Sequence, residues 1–156
     1  MLQPGQPAPL FTLPDADMEQ VDLAQFKGKQ HVVLYFYPKD GTPGCTVQAI
    51  EFSDQEARFA AQGCVVLGVS CDDCLTHADF RDENGLAITL LSDEEGQVCQ
   101  AYGVLREGGS NGRGRIQRST FVIDKSGRVR HALYGVNPRG HAAEVLALVE
   151  ELNESR

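Results

Sequence analysis

No stretch of this sequence is apolar for long enough to span a bilayer. The longest apolar runs, Val32–Tyr37 and Cys64–Val69, fall far short of the ~20 residues a helical crossing needs. The opening residues, MLQPGQPAPLFTL, have no basic start, apolar segment or cleavage site, so no secretory signal is expected and the cytoplasm is the default location. A positive surplus is also missing. Fourteen Lys and Arg stand against 22 Asp and Glu, a net charge of −8, which argues against nucleic acid or an anionic membrane as the main partner. Repeats, low-complexity tracts and linkers are absent, which predicts one domain over residues 1–156. Nor do the cysteines form an even set. Five of them, at 45, 64, 71, 74 and 99, in a reducing compartment do not suggest a disulfide framework.

What is present is ordinary soluble-protein composition, 42% hydrophobic and 23% charged, with enough chain to bury a core. FTL and QVDL read as short strands around the turn PDADM. HVVLYFY is apolar, aromatic and β-branched without alternation, which suits a strand covered on both faces. From Thr46 the period becomes helical: Phe52 and Phe59 are seven apart, and the helix should end at Gly63. CVVLGVS reads as a second buried strand. SCDDCLTHADFRDENG reads as a helix with Asp72 or Asp73 at its start and Asn84-Gly85 at its end. AITLLSD predicts a strand, EEGQVCQAYGV a short helix, RSTFVID-KSG-RVRHALYGV a hairpin, and HAAEVLALVEELNE a closing helix. Arg113–Arg118 reads as a solvated, glycine-rich basic loop. Strands joined through helices pair in parallel and the hairpin adds antiparallel strands, so the expected architecture is a three-layer α/β sandwich with a mixed central sheet and an N-terminal strand extension.

Cys45 falls where an apolar strand gives way to a helix, just past the turn-forming PKDGTPG. Orphan N–H groups and the positive end of a helix dipole stabilise a thiolate in such a place, an arrangement an inert cysteine does not require. Thr42 brings a hydroxyl three residues upstream. Pro38 and Pro43 fix the backbone and remove N–H donors. Cys64 and Cys99 sit among apolar neighbours and read as small hydrophobes.

The segments GQPAPLFTLPDA, FYPKDGTPGCT, LGVSCD, LLSDEEGQVCQAYGV and QRSTFVIDKSG, in order over nearly the whole chain, resemble the bacterioferritin comigratory protein/peroxiredoxin Q branch of the peroxiredoxins. The resemblance implies a thioredoxin-like fold and a thiol peroxidase. Such an enzyme reduces hydrogen peroxide or organic hydroperoxides through a Cys45 sulfenic acid, and a dithiol protein such as thioredoxin recycles it. It implies no haem, flavin or metal, and a monomer or weak homodimer. By the same resemblance Cys45 is the peroxidatic nucleophile and Arg118 faces the thiolate and steadies the departing oxygen. Thr42 orients the peroxide and Pro38 shields the sulfur. Many relatives carry Glu where this chain has Gln48, so a carboxylate bracing the arginine is missing.

A resolving cysteine is missing from both places where the branch carries one: those positions are Ile50 and Arg81 here. Cys74 is the first substitute, in the first turn of the next helix. Cys71 follows, and Cys99 after it. Other readings stay open. Cys71-Asp-Asp-Cys74 is a Cys-x-x-Cys, either a redox pair in its own right or half a zinc site to which His77 alone nearby could add a ligand. Cys45 could also act alone with an external thiol. A general disulfide oxidoreductase would carry both cysteines at the helix after the first core strand, where this chain has only Cys45. Nothing in the sequence speaks for a non-enzymatic binding protein.

Overall fold

A tight turn closes the N-terminal ribbon: Asp15 Oδ1 accepts from the amides of Asp17 and Glu19, and Met18 takes a positive φ. In the computed structural model, which describes residues 1–106 and 115–154, this ribbon is β1 (Thr12–Pro14) paired antiparallel with β2 (Gln20–Asp22). The expected strand extension is therefore a small separate sheet, tied to the main body by bridges Pro7–Arg128 and Asp15–Leu91.

The central sheet has five strands: β3 (His31–Phe36), β4 (Cys64–Ser70), β5 (Thr89–Ser92), β8 (Ser119–Ile123) and β9 (Val129–Tyr134). Their order is β5-β4-β3-β8-β9. β3, β4 and β5 run parallel, while β8 is antiparallel to both β3 and β9. The mixed sheet thus follows the element order read from the sequence. β3 is buried along its whole length because the sheet is covered twice. Val33, Tyr35 and Tyr37 face a front layer, and Val32, Leu34 and Phe36 face a back layer, as the strand period of two requires.

The front layer holds α1 (Pro43–Asp54), α2 (Glu56–Ala61), α3 (Cys74–Asn84) and α5 (His141–Glu154), which contribute Phe52, Phe59, Phe80 and Val145 to one core. Full burial of a side chain such as Phe52 is worth roughly 1.5–3 kcal/mol, and its ring stacks on Tyr35 at 4.6 Å. Gly68 is paired with Tyr35 across the sheet, and a Cβ there would meet the Tyr35 ring at 2.8 Å, so only glycine leaves room for the tyrosine. The back layer is α4 (Gln97–Ala101) with the N-terminal segment: Ala8, Leu13, Val98, Cys99 and Tyr102 close the second core.

Two details depart from the sequence reading, and a third decides between its alternatives. The long helix expected to end at Gly63 is two helices. Gln55 leaves helical geometry, its amide turning to the carbonyls of Phe52 and Ser53, before α2 resumes and ends at the positive-φ Gly63. Asp73 caps α3, accepting from Thr76 N, whereas Asp72 turns inward. The basic stretch is not wholly loop. Arg115–Ile116 forms β7, paired with β6 (Leu105–Arg106), because Ile116 is apolar and buries itself in the back core. Arg113 lies outside the described residues.

Candidate active site

The helix that carries Cys45 starts at Pro43. Proline suits the first helical position, where its missing N–H would have had no partner. Thr42 is the N-cap with extended backbone (φ −75°, ψ 152°), and Cys45 is the third residue of the first turn. Thr42 does not cap with its side chain. Its hydroxyl donates to Lys39 O at 3.0 Å, while its carbonyl accepts from Thr46 N and Oγ1. The first-turn amides around Cys45 therefore keep the orphan donors and positive potential of a helix start. The sulfur is packed into the front core with Cys45 only 1% exposed.

Arg118 reaches that sulfur from the neighbouring strand. β8 runs antiparallel to β3 and Ser119 pairs with Phe36, so the residue before Ser119 arrives at the end of β3 where the Cys45 loop begins. Its carbonyl is pinned by Val136 N, and the guanidinium splits between two partners: Nη2 donates to Cys45 Sγ at 3.4 Å and Nη1 to Gln48 Oε1 at 2.6 Å. The brace that the sequence reading counted as missing is thus present in another form. An amide oxygen one turn along α1 replaces a carboxylate, and Gln48 is fully buried, its Nε2 without a partner among the described residues. Gly44 makes the approach possible, since a Cβ there would lie 3.2 Å from Arg118 Nη2 and 3.4 Å from Pro138 Cγ. Beside the sulfur, burial first and then the charges of Cys45 and Asp40 push the Tyr35 phenol far above its ordinary range, so it stays neutral. Pro38 is exposed in the loop ahead of these residues.

A second set of contacts holds the loop from below, and the sequence reading missed it. Asp40 accepts from Tyr37 OH at 2.6 Å and meets His77 Nδ1 at 2.5 Å. His77 Nε2 donates to Leu91 O at 2.9 Å. The backbone amide of Asp40 is bound by Asp72 Oδ2, which also accepts from Ser70 Oγ. Asp40, Asp72 and His77 are close enough to hold a cation, but their polar atoms already serve one another and the backbone. His77 is committed to Asp40 and Leu91, so neither of its nitrogens turns to Cys71 or Cys74 to build a zinc site. The only sequence signal was a histidine at an inward helical position, which does not name its partner.

Among the described residues no disulfide joins the cysteines, and the structure sorts them by face. Cys71 continues the alternation of Val65, Leu67 and Val69 and packs on the back core, where Cys99 is fully buried on α4. Both lie across the sheet from Cys45. Cys74 opens α3 and lines a cavity of about 450 Å³ with Ser92, Asp93 and the back-layer residues Phe11, Val98 and Tyr102. Cys64 sits in the front core, its thiol pushed up to about 12 by burial, as suits a small hydrophobe. Ile50 is partly exposed, and Arg81 pairs with Asp17 and Asp82.

Residues 4–132 match the AhpC/TSA family. The chain is 40% identical over 152 residues to peroxiredoxin Bcp of Bacillus subtilis, covering 96% of each protein. Among solved structures, it is similar to a PrxQ mutant from Xylella fastidiosa at a TM-score of 0.90 and 32% identity, covering 97% of each chain. It is also similar to the bacterioferritin comigratory protein of Xanthomonas campestris at a TM-score of 0.85 and 34% identity, covering 92% of each. The Xanthomonas protein has alkyl peroxide reduction activity.

Proposed function

We propose that this chain, which belongs to the AhpC/TSA family and is a thiol-dependent peroxidase, takes its oxidising equivalents in at Cys45. The carrying observation is the 3.4 Å approach of the Arg118 guanidinium to a sulfur in the first turn of a helix. Both features favour negative charge on sulfur, and the same guanidinium can stabilise the oxygen that departs. Thiolate attack on one peroxide oxygen breaks the O–O bond, leaves Cys45 as sulfenic acid and releases water or an alcohol. Thr42 orients the peroxide and Pro38 shields the sulfur. The Gln48 amide holds Arg118 in line.

Recycling draws on the thioredoxin-like dithiol reductant that the family implies. In our reading Cys74 resolves the sulfenic acid, with Cys71 and then Cys99 behind it, because the first turn of a helix opens more readily than a strand end or the interior of the back core. The whole of residues 1–156 works as one domain, as a monomer or weak homodimer in the cytoplasm. Among the described residues no helix is long and apolar enough to cross a membrane. Peroxide consumption coupled to thioredoxin and its reductase tests the reading. The parent should turn over hydrogen peroxide and an organic hydroperoxide, while Cys45→Ser should not. A Ser variant that keeps a sizeable share of turnover would overturn the assignment.

A further inference from the structure

We infer that Cys71 and Cys99 form a second redox couple, a buried dithiol on the back of the sheet that closes to a disulfide without the peroxide site. Two elements bring them together. Asp93 N bonds Ser70 O, so the residue after Ser70 lies beside Asp93. The Asp93 carboxylate in turn binds the amides of Cys99 at 2.8 Å and Val98 at 3.3 Å, setting the start of α4 against the end of β4. In that setting the side chains of Cys99 and Cys71 meet on the back core. Cys71 is half-buried, packed on the core that encloses the fully buried Cys99.

The two thiols differ in ways that assign them separate steps. The contact with Cys71, burial and the nearby Asp93 carboxylate all raise the Cys99 thiol, so Cys99 keeps its proton. Cys71 is the more accessible of the two and hence the one that meets an external disulfide. Cys71 thiolate attacks one sulfur of the external disulfide, its S–S bond breaks, and one thiolate leaves. Cys99 then attacks Cys71 Sγ, its proton passing to the departing sulfur, and the second half leaves as a thiol. The pair loses two electrons, and the external disulfide becomes two thiols. Because Cys71 and Cys74 flank the same two aspartates, closing the pair also tethers the start of α3 to α4.

The test omits both peroxide and Cys45, so it is independent of the peroxidase assignment. A Cys45→Ser/Cys74→Ser protein is equilibrated with graded ratios of reduced to oxidised glutathione, acid-quenched, alkylated and weighed. The expected result is a single cooperative passage to an intramolecular crosslink that peptide mapping places between residues 71 and 99, with Cys64 alkylated throughout. Adding Cys99→Ser should replace the crosslink with one glutathione adduct on Cys71, and adding Cys71→Ser should leave Cys99 unmodified. Alkylation of both thiols at every ratio would overturn the inference, as would glutathione adducts without a crosslink in the double variant. The crosslink should also be lost when the equilibration is run in urea; its persistence there would show that the native contact does not make it.

Discussion

A thiolate and a guanidinium 3.4 Å apart attract by about 5 kcal/mol at an effective dielectric of 20, before either pays for losing water. A contact of that size decides chemistry at one atom. Cys45→Ser is expected to abolish peroxide reduction, since a hydroxyl in the same place stays protonated near neutral pH. Arg118→Met keeps the length and removes the charge, and should slow sulfenic acid formation roughly 10- to 1,000-fold, the scale for one donor in a dry site. Stopped-flow peroxide reduction under single-turnover conditions reads this directly, and an unchanged rate would reduce Arg118 to packing. Gln48→Leu takes away the amide oxygen that holds Nη1. It should slow the same step about tenfold while leaving the fold intact, because the buried Nε2 has no partner to lose. If Gln48→Leu reacts as fast as the parent, the guanidinium is held by its backbone alone.

At the scale of elements, two requirements oppose each other around the first turn of α1. Peroxide attack needs Cys45 held in the pocket. A disulfide to Cys74 needs the first turns of α1 or α3 to open, because Cys74 lines a cavity shared with α4 and the N-terminal segment. Cys74→Ser should therefore stall at sulfenic acid and over-oxidise to sulfinic acid, which mass spectrometry after repeated peroxide additions would show. Normal thioredoxin-supported turnover by that variant would exclude Cys74 as the resolving thiol. The Asp40–His77 pair ties the same loop to α3 and, through Leu91 O, to β5. His77→Phe leaves a buried carboxylate without its partner, a loss of roughly 3–5 kcal/mol. Hydrogen exchange across residues 39–46 should quicken and urea stability should fall. Unchanged exchange in that loop would mean the pair supports α3 alone.

For the whole molecule, the pH dependence of stability follows from its buried imidazoles. His141 is packed edge-on to Phe52 and bonded to Thr120 Oγ1, and burial holds it below the ordinary 6.5. His131 is shifted the same way, again chiefly by burial. Between the folded and unfolded values the unfolded chain binds more protons, so stability rises with pH in that window. The contribution is complete above about pH 6.5 and is lost as pH falls toward the folded values. Urea unfolding at pH 7.5 and 5.5 should show the lower midpoint at 5.5, and His141→Gln should shrink the difference. Equal midpoints in the parent would contradict the sign.

The order of the central-sheet strands, the parallel pairing of β3 with β4, the first-turn place of Cys45 and the family resemblance were all legible in the residues themselves. Each depends on local information: periodicity, turn chemistry and a motif of fixed spacing. Where distant segments meet was decided only by the tertiary structure. The Gln48 brace, the Asp40–His77 tie and the Cys71–Cys99 contact link residues 70, 37 and 28 positions apart, and no local pattern encodes which buried polar group will answer another. Face is the clearest case. Cys71 and Cys74 look like one motif in the sequence, yet strand parity packs the first on the back core while the second begins α3 and lines the cavity beside it. A period of two ends and a period of 3.6 begins between them, and only the packed sheet fixes where each thiol comes to rest.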